Sequence, residues 1–280
     1  MLTRTKGRAL LATPLFAGCL LAPSALFSQI VSLDLSNDVA WTSGAATVDD
    51  EGVRRLTIPA TVSTIDLGAL PGNVDVTAYH LLHDGRRLTS LATFADLGGG
   101  VLAGPEDVVA WNGAVRTLFF DGSAAGVPAG AQVDALGWMR SGGVSRTLLS
   151  FDVTVALPGG LIAEDEDVVA WNGSTWTLFF DGSAAGVATA LDLDGFDRDP
   201  VTGVRYLSFD GSGKLGAVDF EDEDVLAWDG ATWSLALDGS AVLGASFAAG
   251  DLDALGVRTV NLFRDGFETG NTVEWSSVVP

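Results

Sequence analysis

Short stretches of alternating apolar and polar residues recur along this chain. Within residues 146–152, Leu149 and Phe151 alternate with polar neighbours, and residues 205–210 have the same pattern. Successive side chains of a β-strand point to opposite faces, so a period of two indicates a strand with one buried face. Because no helical periodicity of useful length is present, the pattern predicts an all-β fold.

The segments that follow these strands predict hairpins. After the acidic run Glu164–Asp167, two β-prone segments, Val168–Trp171 and Trp176–Phe180, flank Asn172-Gly173. Both central residues of a type I′ turn need positive φ, which Asn-Gly tolerates, so this pair predicts such a turn. The pairs Asn112-Gly113 and Asp229-Gly230 occupy the same place in the neighbouring segments.

These elements belong to a repeat. The heptapeptide Asp-Val-Val-Ala-Trp-Asn-Gly stands at 107–113 and 167–173, and a close copy stands at 224–230. A fourth short strand beginning with Asp completes each unit. A further unit with a weaker match to the pattern precedes these three. The four units span 30–82, 86–140, 144–198 and 203–257.

Four units of four strands predict a closed ring of antiparallel sheets, that is, a four-bladed β-propeller. A β-sandwich and a β-solenoid are the alternatives. Closure is favoured because the repeats begin with the second strand of the scheme, and residues 257–263 enter that strand again. A blade completed by both ends removes open sheet edges. The repeat domain is therefore placed at 29–263.

The first 28 residues have the features of a Sec-type signal peptide. Arg4, Lys6 and Arg8 precede an apolar run from Ala9 to Phe27. This arrangement predicts a secreted bacterial protein without a membrane span after cleavage. A competing interpretation is a lipobox around Cys19, which would make that residue the lipid-bearing one. Cleavage near Ser28 removes the only cysteine, so core burial or bound metal must stabilise a disulfide-free chain.

Charge narrows the classes of partner. The net charge is −21, and removal of the signal segment leaves 12 basic and 36 acidic residues, or −24. Such a surface repels phosphate backbones and anionic lipids, which argues against nucleic-acid binding and membrane docking. Cations are the natural small partners.

A calcium site is predicted at Asp192, Asp194, Asp197 and Asp199. The segment sets carboxylates at intervals before a turn, with Gly195 among them. Calcium takes six to eight oxygen ligands in flexible geometry, which clustered Asp residues provide. The alternative is a solvated acidic loop capped by Asx turns. The two histidines, His80 and His83, are not expected to ligate metal or to serve a catalytic triad, and zinc is not expected.

Two classes of function follow. Tryptophans at equivalent hairpin positions (111, 171, 176, 228 and 233) suggest either packing between blades or a platform for sugars, and the regular spacing favours packing. Near-identical repeats distribute the same chemistry around a ring, which favours a monomeric, non-enzymatic module that binds an extracellular protein or polysaccharide. The alternative is a secreted hydrolase that uses two carboxylates on a glycan.

The chain shows three resemblances to known sequences. Residues 222–240 look like repeats of uncharacterised secreted bacterial proteins, and Arg264–Ser276, within the C-terminal tail at 264–280, is similar to the Asp-Gly-Phe-Glu-Ser-Gly tails of exported bacterial proteins. Asp134-Ala135 and Asp253-Ala254 at strand starts are similar to hemopexin-like four-bladed propellers. The similarity to hemopexin-like propellers supports the number of blades, and the similarity to the bacterial repeats implies no activity.

Overall fold

The computed structural model describes residues 29–43, 46–49, 52–57, 61–72 and 74–260. The predicted signal peptide at 1–28 and the tail motif at 264–280 lie outside these residues. In the described ranges, no helix is long and apolar enough to cross a membrane. Nearly all regular structure is β-strand.

The strands recur in sets of the same order. The first set is β1 (Gln29–Ser36), β2 (Trp41–Ser43), β3 (Ala46–Val48), β4 (Arg54–Thr57) and β5 (Thr61–Thr64). The second is β6 (Val76–Leu81), β7 (Arg87–Leu91), β8 (Ala95–Asp96), β9 (Leu102–Ala103), β10 (Val108–Trp111) and β11 (Arg116–Phe120), followed by the short helix α1 (Gly122–Ala125). The third is β12 (Val133–Ser141), β13 (Val144–Phe151), β14 (Val155–Leu157), β15 (Leu161–Ala163), β16 (Val168–Trp171) and β17 (Trp176–Phe180). The last is β18 (Gly195–Arg198), β19 (Arg205–Ser208), β20 (Gly213–Leu215), β21 (Val218–Phe220), β22 (Val225–Trp228), β23 (Trp233–Leu237), α2 (Gly239–Leu243) and β24 (Ala254–Val260).

The chain is a four-bladed β-propeller. Blade 1 has the strand order β6-β7-β10-β11, blade 2 β12-β13-β16-β17, blade 3 β18-β19-β22-β23 and blade 4 β24-β1-β4-β5, all antiparallel. The inner strands β6, β12, β18 and β24 contact one another in sequence, and β24 returns to β6. The ring is therefore closed, as the repeat pattern predicted, and the sandwich and solenoid alternatives are wrong.

Blade 4 joins the two ends of the described chain. Strand β1 pairs with β24 from Ser36 opposite Ala254 to Gln29 opposite Val260. The segment 257–263 was predicted to enter the second strand of a blade, and this was wrong for its described part, because residues 257–260 continue the inner strand β24 and β1 is the second strand. Residues 261–263 are outside the described residues. Each blade takes its inner strand from the end of one sequence unit and its other strands from the next unit.

The hairpins form as predicted, but the central residues of the turn were predicted one position too early. Strand β10 pairs with β11, yet the Asn112 N–H donates to the Val115 carbonyl at 3.4 Å. The central residues of the turn are therefore Gly113 and Ala114, and Gly113 has φ +94°. Asn112 precedes them, and its Oδ1 accepts from the N–H groups of Ala114 and Val115.

Each blade also carries a small hairpin that the sequence pattern did not reveal. The pairs β2-β3, β8-β9, β14-β15 and β20-β21 lie between the second and third strands of their blades. Their strands are two or three residues long, too short for an alternating pattern to be recognised.

The repeated tryptophans connect neighbouring blades. Trp176 Nε1 of blade 2 donates to the carbonyl of Ala125, in the segment that follows the outer strand of blade 1. Trp233 Nε1 of blade 3 donates in the same way to the carbonyl of Ala185, after the outer strand of blade 2, and both distances are 3.0 Å. Arg116 holds this position in blade 1 and donates to the carbonyls of Leu67 and Ala69. At these positions the side chains serve packing between blades, as the regular spacing favoured.

Candidate functional site

Carboxylates gather at the end of the central channel where the inner strands begin. Asp134 is the second residue of β12, and Asp192 and Asp194 immediately precede β18. One carboxylate oxygen from each of these three residues lies within 4.8 Å of the other two. Asp251, just before β24, interacts with Asp194. We call these four residues the channel mouth.

Burial makes the channel mouth electrostatically costly. Asp134 is only 5% exposed. Its Oδ1 accepts from Gln132 Nε2 at 2.7 Å, while its Oδ2 has no hydrogen-bond partner among the described residues. Burial raises the pKa of Asp134 to about 8 and that of Asp192 to about 7, and neighbouring carboxylates add to both shifts. Burial, with Asp251 and Asp134 nearby, also raises the pKa of Asp194.

The four residues predicted to hold calcium do not lie together. Asp192 and Asp194 are at the channel mouth, but residues 195–198 form strand β18 and carry the chain along the channel. A strand rises about 3.3 Å per residue, so Asp199 lies at the far end of β18 from Asp194. There its Oδ1 accepts from the N–H groups of Val201 and Thr202 in an Asx turn.

Asp197 lies between these ends and contacts blades 1 and 4. Its Oδ2 accepts from the Val257 N–H at 2.7 Å, and its Oδ1 is 3.4 Å from His80 Nδ1. His80 is buried in β6, whereas His83 lies beyond that strand and stacks on Trp138 with ring centroids 5.8 Å apart. Asp197 therefore serves contacts between blades, away from the channel mouth.

The acidic runs before the third strands are structural. Asp167 Oδ1 accepts from the Gly182 N–H at 2.9 Å, and its Oδ2 accepts from the Glu164 N–H at 3.2 Å. Asp107 accepts the corresponding bonds from the N–H groups of Gly122 and Gly104. Asp224 accepts them from the N–H groups of Gly239 and Glu221. The last Asp of each run thus ties its loop to the segment that follows the outer strand.

Glu166, beside Asp167, carries a burial cost that pH controls. It is fully buried, and neither of its carboxylate oxygens meets a hydrogen-bond donor in the described part of the chain. Burial raises its pKa from 4.5 to about 7, and the adjacent Asp165 carboxyl adds to the rise. The folded state therefore keeps a proton on Glu166 that the unfolded chain releases at lower pH.

This difference predicts the effect of Glu166→Gln. Stability from a raised carboxyl pKa is present below about pH 4.5 and is lost as the pH rises towards 7. Glutamine stays neutral, so the variant should melt on the order of 2–4 °C higher at pH 8 and no higher at pH 4. The control is Glu106→Gln at the equivalent, half-exposed position of blade 1. Equal shifts of Tm at both pH values, or in both variants, would refute the raised pKa of Glu166 as the cause.

A groove lies between blades 1 and 2. Its volume is about 430 Å³. Aromatic residues Phe119, Trp138 and Trp171 line it together with Asp121, Arg146 and Asn172. The groove contains one cationic and one anionic side chain, so it lacks the strong negative charge of the whole chain.

Comparisons with known proteins give no family. No known protein-family profile and no curated protein matches the chain. Among solved structures, YCF48 bound to the D1 peptide is similar with a TM-score of 0.34 and 10% identity, over 83% of this chain and 94% of that one. The virginiamycin B lyase of Staphylococcus aureus is similar with a TM-score of 0.30 and 9% identity, over 74% of this chain and 73% of that one. The propeller assignment rests on the sheet topology of the chain itself.

Proposed function

We propose that this protein is a secreted bacterial, non-enzymatic and monomeric propeller that binds an extracellular ligand and holds calcium at the channel mouth. Secretion is supported by the basic and apolar residues at 1–28. The binding role is supported by a closed ring whose repeated Asp and Trp side chains serve its own packing and so form a stable scaffold. The partner is an extracellular protein or polysaccharide.

Calcium is supported by one observation above all, the unpartnered Oδ2 of Asp134 beside Asp192 and Asp194. A buried anionic oxygen without a donor is destabilising unless the group is protonated or meets a cation. Calcium accepts carboxylate oxygens from several directions and fills the rest of its shell with carbonyls and water, whereas magnesium requires a near-ideal octahedron. The ion would link blades 2 and 3 in a protein that has no disulfide after signal cleavage.

Within the groove between blades 1 and 2, the geometry supports binding more than hydrolysis. Glycosidases generally place two carboxylic acids on either side of the scissile bond. The groove between blades 1 and 2 is lined by one, Asp121. That residue caps helix α1 by accepting from the Ala124 N–H, and this bond, with one from Ser123, lowers its pKa. A carboxyl group whose pKa is lowered in this way is poorly suited to act as a general acid.

Thermal unfolding in matched ionic strength tests the calcium site. At ten times its Kd, calcium should stabilise the fold by about 1.4 kcal/mol and raise Tm by roughly 3–6 °C, with a smaller response to magnesium. Above about pH 8, where Asp134 is ionised, the double variant Asp134→Asn with Asp194→Asn should melt higher than the parent without calcium, because neutral amides relieve the repulsion. It should also lose the calcium response.

Asp197→Asn is the matched control, because the structure separates this residue from the channel mouth. It should melt lower, through weaker contacts to Val257 and His80, and keep the response to calcium. Equal responses to both ions, or a calcium response that survives in the double variant, would overturn the proposed site.

A further inference from the structure

We propose that the groove between blades 1 and 2 binds an uncharged glycan segment, stacked on Trp138 and Trp171. This inference rests on the proposed extracellular binding function and names its ligand class. It also locates the ligand at one blade interface, where the repeat symmetry is broken.

The break in symmetry is visible at the next interface. Strand β19 places Arg205 opposite Trp228, and strand β13 places Thr147 opposite Trp171. Arg205 fills the space between blades 2 and 3, with its guanidinium 5.3 Å from the Phe179 ring centroid and 5.6 Å from that of Phe180. The short Thr147 leaves the corresponding space between blades 1 and 2 open, and this space is the groove.

The aromatic walls of the groove are held in place from behind. Trp171 packs against the buried Trp176 with ring centroids 4.9 Å apart, and Trp138 stacks on His83. Both indoles are half-buried, so each keeps part of its surface accessible. A rigid aromatic face suits the C–H face of a pyranose ring, since stacking then costs little side-chain entropy.

The polar groups and the backbone favour a neutral sugar over a peptide. Arg146 and Asp121 offer a donor and an acceptor of opposite charge, and hydroxyl groups can use both. An extended peptide usually binds by adding a strand to a free sheet edge. Strands β13 and β16 of blade 2, which line the groove, have no free edge, because each pairs with a strand on both sides. The outer strand β11 of blade 1, which contributes Phe119 and Phe120, is an edge strand, so a peptide library is included in the test.

Tryptophan fluorescence and calorimetry with neutral oligosaccharides test this proposal. The probes are hexasaccharides of β-1,4-glucan, β-1,3-glucan, xylan and mannan, with a peptide library and oligogalacturonate in parallel. At least one neutral hexasaccharide should bind, and Trp138→Ala should weaken its affinity about tenfold or more, equivalent to about 1.4 kcal/mol. Thr147→Arg, which copies the residue of blade 3, should abolish binding without lowering Tm. Trp111→Ala, the blade 1 counterpart of Trp171 outside the groove, should bind like the parent.

Each contrary result has a distinct meaning. No binding to any neutral probe, or binding that Thr147→Arg leaves intact, overturns the glycan site. Binding of only peptide or only oligogalacturonate, blocked by Thr147→Arg, replaces the ligand class. None of these results changes the calcium response of the parent, so failure of the groove is distinguishable from failure of the channel mouth.

Discussion

Asp34→Ala is expected to lower the free energy of unfolding by about 3 kcal/mol. Asp34 is 1% exposed in β1, and its two carboxylate oxygens accept from Nε and Nη2 of Arg55, each at 2.6 Å. Tyr79 OH of blade 1 donates to the same carboxylate at 3.1 Å. Alanine would leave a guanidinium and a buried hydroxyl unpaired. The partial exposure of Arg55 places the cost at the lower end of the range for broken buried ion pairs.

The repeat itself supplies the control. Asp34 lies opposite Arg55 in the strand register of blade 4, and the equivalent positions of blade 2 hold the apolar pair Leu148 and Ala170. The triple variant Asp34→Leu, Arg55→Ala, Tyr79→Phe removes all three polar groups together and should stay within about 1 kcal/mol of the parent, since apolar replacement of a buried ion pair is often neutral. Urea denaturation measures both variants. A triple variant as unstable as Asp34→Ala would show that packing, and not the unpaired polar groups, determines the loss.

Gly182→Ala is expected to cost about 2–3 kcal/mol through a steric conflict. A Cβ at Gly182 would lie within 2.5 Å of two Glu166 atoms, one of them the backbone carbonyl oxygen. A backbone atom cannot move aside as a flexible side chain can, and the shift would also strain the bond from Gly182 N–H to Asp167. Gly122 and Gly239 meet Glu106 and Glu223 in the same way, so the requirement recurs at three blades.

Gly173→Ala separates this steric effect from backbone conformation. Gly173 has φ +95° and open space around its Cα, so alanine there meets only the cost of a left-handed backbone, about 1 kcal/mol. Denaturant midpoints, measured at unchanged m-values, should show that Gly182→Ala is much less stable than Gly173→Ala. The reverse order would show that the close approach at Gly182 relaxes easily.

The fold could be predicted from the sequence because the repeats carry local signals. Alternation in 146–152 identified β13, and the paired apolar segments around Asn172-Gly173 identified the hairpin β16-β17. The position of the turn failed by one residue. Asn112 precedes the two central residues, and its side chain accepts hydrogen bonds from two backbone N–H groups of the turn. The Asn-Gly dipeptide alone does not reveal this role.

The site could be predicted only in part, because the packing of neighbouring blades brings its residues together. Asp192 and Asp194 stand out in sequence, but Asp134 reaches them from a strand about one repeat away. The only signal for Asp134 was the shared strand start, Val133-Asp134 beside Leu191-Asp192. Asp197 and Asp199 were grouped with the site by proximity in sequence, and strand β18 carries them away from it.

The pairing of β1 with β24 also has a consequence for how the chain folds. Strand β1 is synthesised first among the described strands, yet its inner partner follows the three other blades. Blades 1 to 3 are built from contiguous segments and can form locally, whereas blade 4 requires contacts between residues more than 200 positions apart, such as Ser36 and Ala254. Contacts at such sequence separation slow folding, so we expect closure of the ring to be the late step of the pathway. Until then β1 exposes an unpaired edge that another chain could occupy, which makes domain exchange the characteristic misfolding hazard of this architecture.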